Sequence, residues 1–315
     1  MRVIGVTPAG RRRYLASLVP HLLRQRHVLK EHHWWLNTND PADAEYVEQI
    51  TAEHPDFFKI CRKEIRRELN LGENIWKFFQ DYSEPDTLYV RFDDDILYMA
   101  PDAVEALVRF RLEHREPLLV LGNIVNNAVC THFHQRAGIV PEEWGEVENF
   151  CLDGNGWACG EFARKIHELF LFDLERGDVE HWKQVELPIN GVRRMSINVI
   201  SWFGNDLRQV PEIDGAVDEE PFLTCVLPRR LGRPNAACPD ALFAHYAFFT
   251  QRPYLEWTWP GLVQHYENFA TGGELGRSPA EAVLKIARHT AWQYGRPVRK
   301  LKQSLTKHWN RRKAA

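Results

Sequence analysis

The chain has 315 residues, 44% hydrophobic and 26% charged, with a net charge of −3. That is enough apolar material for a sizeable core, and it excludes a wholly disordered chain. No run approaches the roughly 18 apolar residues of a membrane-spanning helix, and Arg11, Arg12, Arg13 and Pro20 break the first residues too often for a secretory signal. The six cysteines (Cys61, Cys130, Cys151, Cys159, Cys225, Cys238) include no CxxC pair. This argues against a zinc ribbon or a disulfide scaffold and fits a reducing cytoplasm.

Arg2–Val6 reads as a strand and Arg11–Arg26 as a helix. His33–Asn37 reads as a second strand, Thr38–Pro41 as a turn, Ala42–Glu53 as a helix and Asp56–Ile60 as a third strand. Ile75, Phe78 and Phe79 fall at helical spacing within Gly72–Tyr82. Thr87–Phe92, rich in β-branched and aromatic residues, is the strongest strand. Pro101 and Asp102 open a further helix, and Leu118–Leu121 is a strand. Strands separated by helices imply a mostly parallel sheet covered on both faces. The second half is less regular: a helix over Ala158–Phe172, a strand over Ser196–Phe203, a helix after Pro221 and a strand over Ala241–Phe249. Asn123–Trp157 and Gly177–Arg194 carry few periodic signals, as segments that build a substrate side usually do.

The sharpest chemical feature is Arg91-Phe92-Asp93-Asp94-Asp95, where the strongest strand ends. Three adjacent carboxylates repel one another, and a hard divalent cation takes their oxygens. Extended geometry would put Arg91, Asp93 and Asp95 on one face, at the strand end where open α/β sheets bind ligands. The competing reading is a solvated acidic turn; the strand context favours the metal. A second feature, Asp218-Glu219-Glu220-Pro221, makes a good helix start, and an acid there that faces a cleft can serve as general base. The third is His245 in an apolar strand, followed by Arg252: a histidine for metal and an arginine for phosphate. A satisfied core histidine is the plain alternative. His132 and His134 would share a face in an extended segment, but neither Cys nor acid completes a zinc set. Gly154-Asn155-Gly156 and Asn126-Asn127 read as turns, and no phosphate-cradling GxxxxGK[ST] loop occurs.

Taken in order, YVRFDDDI (Tyr89–Ile96), VDEEPFLTCVLPRRLGRP (Val217–Pro234) and AHYAFFTQRP (Ala244–Pro253), supported by NTND (Asn37–Asp40) and SIN (Ser196–Asn198), resemble a GT-A-type glycosyltransferase of the bacterial rhamnosyltransferase group over residues 1–260. The resemblance implies an α/β, GT-A-like fold with a mostly parallel sheet flanked by helices. It also implies a bound Mn or Mg ion, a nucleoside-diphosphate sugar donor and a glycan or lipid-linked acceptor. Asp93 and Asp95 would be the DxD acids, touching ribose and metal, and His245 would complete the metal ligands. Arg252 would grip the diphosphate. Glu220 would be the base of an inverting displacement, with Glu219 second; many GT-A enzymes carry aspartate there. Arg91, Asp94 and Asn37 join the donor-binding set; Asn74 and Lys77, on the helix before the strand, are candidates for nucleotide contact, with a solvated helix face as the competing role. Trp157 and Trp202 are candidates for stacking on acceptor sugars, with packing as the competing role.

Residues 1–277 are then a catalytic domain, 1–122 its nucleotide-binding half and 123–277 its acceptor and catalytic half. Residues 278–315 form a basic tail. Ala282–Ala315 holds ten basic residues and no acid, so against an overall −3 the rest of the chain carries −13. Val298, Leu301, Leu305 and Trp309 make one helical stripe, suited to an anionic membrane interface. The expected location is cytoplasmic, peripheral at the inner face of the membrane, with no nucleic-acid partner. Two other classes stay open: a metal-dependent nucleotidyl or phosphoryl enzyme using the same acids, and a non-catalytic carbohydrate-binding protein.

Overall fold

The computed structural model describes residues 1–62, 76–189, 193–208 and 218–272, apart from the side chains of Trp76, Lys77 and Gln80. Its apolar runs build one eight-stranded sheet, in the order β3-β2-β1-β4-β7-β6-β8-β5. The strands are β1 (Arg2–Ala9), β2 (Glu31–Leu36), β3 (Phe58–Cys61), β4 (Thr87–Phe92), β5 (Ile96–Met99), β6 (Val120–Val125), β7 (Val199–Phe203) and β8 (Ala236–His245). The first four strands by chain order pair in parallel, as do β6 and β8. β7 runs antiparallel between β4 and β6, and β5 runs antiparallel to β8 at the edge. The sheet is thus mostly parallel, with two reversed strands.

The helices are α1 (Arg12–Arg24), α2 (Pro41–Glu53), α3 (Trp76–Asp81), α4 (Ala103–Glu113), α5 (Ala128–Arg136), α6 (Gly160–Glu175), α7 (Gly204–Leu207), α9 (Arg252–Thr258) and α10 (Leu262–Thr271). Between them lies α8, one helical run composed of Glu219–Pro221, a π-type segment Phe222–Val226, and Leu227–Leu231. The π turn precedes Pro228, which has no N–H to give an α-helical ladder.

Every residue of β4 is buried, because helices cover both faces of the sheet. Strand alternation splits its side chains: Val90 and Phe92 pack with Trp34, Phe58 and Phe243 on one face, while Tyr89 packs with Trp202, Phe78 and Phe79 on the other. Each such side chain contributes about 1.5–3 kcal/mol by leaving water. Trp202 is fully buried and stacks on Tyr89 at 5.6 Å, so it is a packing residue.

Several local expectations are corrected. The acids after β4 do not continue the strand. They form a turn, closed by Ile96 N–H donating to Asp93 O at 3.3 Å, and lead into the unforeseen strand β5. Residues 123–157, expected to be irregular, hold the end of β6 and helix α5. His132 and His134 sit on that helix, not on one face of a strand: His132 Nδ1 pairs with Val147 O at 2.7 Å and His134 Nε2 with Asn123 Oδ1 at 2.8 Å. The last strand begins at Ala236 and stops at His245. Asn74 and the tail, 278–315, lie outside the described residues; Lys77 is on α3, but its side chain is not described.

Candidate active site

The reversed direction of β7 builds the site. Phe92, at the end of β4, pairs with Val199, at the start of β7, and Ile96, at the start of β5, pairs with His245, at the end of β8. The C-terminal ends of β1, β4, β6 and β8 and the N-terminal ends of β5 and β7 therefore share one edge, where open α/β sheets present ligand groups.

Each acid of the triplet meets at least one guanidinium. Arg91 is buried on β4; its Nη2 donates to Asp93 Oδ1 at 2.9 Å, and its Nη1 donates to Glu219 Oε2 at 3.2 Å. Its guanidinium lies 5.5 Å from the ring centres of Phe78 and Phe79, so it faces this pair of acids from inside the packed layer. Asp93 is also held by Asn198, whose Nδ2 donates to Oδ2 at 3.2 Å. Asn198 in turn accepts from Asn127 Nδ2 at 3.0 Å.

Asp94 accepts from Gly10 N–H at 3.1 Å and from Arg11 through Nε and Nη2. Gly10 is required here: a Cβ would lie 2.5 Å from Asn37 O. That contact sets Asn37, just beyond β2, against the loop that carries Arg11; its N–H donates to Ala9 O at 2.8 Å. Burial pushes the Asp94 carboxyl up in spite of Arg11.

Asp95 receives the most positive charge. Its Oδ2 lies 2.6 Å from Arg252 Nη2, 3.1 Å from Arg11 Nη1 and 3.5 Å from His245 Nε2. Burial opposes its ionisation, but Arg11, His245 and Arg252 hold its carboxyl well below the usual carboxylate range. Its Oδ1 is buried with no hydrogen-bond partner among the described residues. His245 Nδ1 lies 3.2 Å from Asn126 O, which fixes the ring with Nε2 turned toward Asp95.

Asparagine builds the support. Asn126, at φ +60°, adopts the left-handed conformation that this residue type tolerates. Its Nδ2 donates to Tyr246 O at 2.8 Å and to Gln251 Oε1 at 3.1 Å. Gln251 Nε2 reaches Gly156 O at 3.1 Å, and Thr250 Oγ1 donates to Trp157 O at 2.5 Å. The loop between His245 and Arg252 is thereby fixed to half-buried Trp157, which meets exposed Phe249 edge to face at 5.2 Å.

The acidic helix start lies beside this edge. Asp218 caps α8 by accepting from Glu220 N–H at 3.2 Å. Glu219 returns to Arg91. Glu220 accepts from Arg194 Nε at 2.7 Å, and the same guanidinium reaches Asp218 at 3.0 Å. Burial pushes the Glu220 carboxyl up to about 7, although Arg194 and Ser196 favour its charge. Glu219 is raised too, again by burial, with Arg91 opposing.

Sequence reasoning missed Arg11, Arg194 and the Asn126–Asn127–Asn198 set. The arginine cluster after Gly10 was visible, but nothing local tied it to acids more than eighty residues away. Among the described residues no group of three His, Cys, Asp or Glu side chains is placed to hold a metal ion. Asp95 and His245 stand 3.5 Å apart, and Asp95 Oδ1 is buried without a hydrogen-bond partner among the described residues. A divalent ion held by one or two carboxylates takes its remaining ligands from phosphate and water, so this donor set fits Mn or Mg.

This is a GT-A-like fold: a mostly parallel, mixed sheet flanked by helices, with acids at the end of its strongest strand. The chain is similar to a mannosyltransferase from Pyrobaculum calidifontis, solved in complex with GDP-Man and Mn2+, with a TM-score of 0.50 at 12% identity, covering 96% of this chain and 83% of that one. It also matches glucosyl-3-phosphoglycerate synthase from Mycobacterium tuberculosis, solved with Mn2+, UDP and glucosyl-3-phosphoglycerate, with a TM-score of 0.42 at 13% identity over 87% and 81% of the two chains. No family model matches the sequence, and no curated protein matches it significantly.

Proposed function

We propose that the protein is a metal-dependent glycosyltransferase that moves a sugar, by the sequence resemblance rhamnose, from a nucleoside-diphosphate donor to a hydroxyl of a glycan or lipid-linked acceptor, with inversion. The observation that carries this reading is the convergence of Asp95, His245 and Arg252 on one point of the strand edge of a GT-A-like fold.

Asp95 and His245, with Asp93 two residues away in the chain, would hold the divalent cation, which would supply neutralisation of charge on the departing diphosphate. Arg252, at the start of α9, turns its guanidinium toward the same oxygens and stabilises negative charge as it develops. Asp94 and Asn37 shape the donor side around Gly10. Arg91 orients Asp93. Glu220 takes the proton from the attacking acceptor hydroxyl. Its assignment is supported by its raised carboxyl, which is poised near neutral pH, and by Arg91 holding Glu219 through both arms. The half-buried Trp157 offers a ring face to the acceptor, beside the His245–Arg252 loop.

Among the described residues no helix is long and apolar enough to cross a membrane. The basic tail is proposed to hold the enzyme at an anionic surface, where each Lys or Arg contributes about 1 kcal/mol. Cosedimentation of the full chain, but not of a chain ending at Arg277, with anionic vesicles is the expected result.

The deciding experiment is titration with nucleoside diphosphates in the presence and absence of Mn2+, followed by product analysis with the matching nucleotide sugars. Metal-dependent binding and a new glycosidic product are expected. Release of sugar 1-phosphate instead would place the chemistry at phosphorus and overturn the reading.

A further inference from the structure

Arg11 stands where the two buried acids need positive charge. Its Nε and Nη2 are anchored on Asp94, which Gly10 N–H also fixes, while its Nη1 reaches Asp95 Oδ2 at 3.1 Å. Arg252 reaches the same oxygen at 2.6 Å. Both guanidiniums lie against one buried ring, that of Tyr14, at 5.1 and 6.0 Å from its centre. Two acids and two guanidiniums make a locally neutral cluster. A divalent cation entering alone would leave two positive charges in excess. A cation arriving with a diphosphate would not.

We propose that Arg11 is a built-in stand-in for the metal and a diphosphate ligand in waiting. In the ligand-free protein its Nη1 arm fills the cation side of Asp95. When metal and diphosphate bind, that arm leaves Asp95 and takes a diphosphate oxygen, while Nε and Nη2 stay on Asp94. The fork of a guanidinium suits this exchange, because its arms donate independently and match carboxylate and phosphate alike. The metal and the donor nucleotide therefore bind as a coupled pair, and Arg11 carries much of the coupling. This inference rests on the metal-and-diphosphate reading of the site.

The test measures Mn2+ binding by electron paramagnetic resonance and binding of UDP and GDP by calorimetry at saturating Mn2+, on the full chain. Arg11→Ala is expected to raise affinity for Mn2+ alone by about tenfold or more, since a contact cation is removed. It is expected to weaken the diphosphate by a similar factor. Arg11→Lys, which keeps one charge on Asp94 but loses the fork, should do both to a smaller extent, and it serves if the alanine variant does not fold. Arg13→Ala is the control: Arg13 also lies over Tyr14 but pairs with Glu256. Unchanged or weaker Mn2+ binding in both Arg11 variants overturns the proposal, as does an equal rise in Arg13→Ala, which would reflect only the general field. If the unaltered protein fails to bind Mn2+ even in the presence of UDP or GDP, or if Asp95→Ala leaves Mn2+ binding intact, the metal reading fails; the behaviour of Arg11 is judged only against a site that Asp95 controls.

Discussion

Arg91 joins two acids that the sequence keeps 126 residues apart: its guanidinium spans from Asp93 at 2.9 Å to Glu219 at 3.2 Å. The bridge ties the acidic turn after β4 to the start of α8. Because it is buried, its charges are costly to leave unpaired, and removing one partner of such a pair typically costs about 3–5 kcal/mol. Arg91→Ala is therefore expected to lower the urea midpoint sharply, and Glu219→Gln to a lesser extent. A double-mutant cycle should show strong coupling between them. Additive effects would mean that the two residues contribute independently.

Glu220 sets the expected pH dependence of turnover. A base works only when deprotonated, and this carboxyl is pushed up to about 7, so kcat/KM should rise with pH through a limb near 7. Glu220→Gln should keep donor binding, lose about 10²–10⁴ in turnover and lose the limb. Because Arg194 favours the charged form, Arg194→Ala should move the limb to higher pH. If Glu219→Gln instead removes the limb, the base is its neighbour.

The metal side is separable from the diphosphate side. Asp95→Ala should abolish metal-dependent binding of nucleoside diphosphate with the fold intact by circular dichroism. His245→Ala should weaken Mn2+ affinity, and Arg252→Ala should weaken nucleotide even at saturating metal. A His245→Ala protein that melts early but binds Mn2+ normally would make that residue structural only.

Stability should fall on acidification in a window set by buried histidines. Burial holds His21 and His134 down to about 3 and His167 to about 4, against an ordinary 6.5. Below 6.5 the unfolded chain binds protons that the folded one refuses. Their contribution is thus complete above pH 6.5 and is lost as pH drops toward 3. The raised carboxyls of Glu220, Glu219 and Asp94 act in the opposite sense, costing stability as pH rises above the ordinary carboxylate range, while His32, also held well below 6.5, and the lowered carboxyl of Asp95 act with the three histidines. Urea midpoints measured from pH 4 to 7.5 should rise with pH. A flat or falling profile would contradict the neutral burial of these rings.

Much of this was written locally. The run Thr87–Phe92 had to be a buried strand and Asp218-Glu219-Glu220-Pro221 had to start a helix, because alternation and proline geometry act between near neighbours; the turn that takes the three acids out of extended geometry into β5 was not visible. The order of acid triplet, helix start, histidine and arginine was equally legible. Strand direction was not. A period-two pattern is the same read either way, so nothing in Val199–Phe203 announced that β7 runs backward and brings Asn198 to Asp93. Partners far apart in sequence were hidden too. Arg11 in the sequence is one of three consecutive arginines. Only closure of β1 against β4, with Gly10 admitting the backbone to Asp94, singles it out, because that pairing is fixed by burial of the whole sheet and not by any residue near Arg11 in the chain.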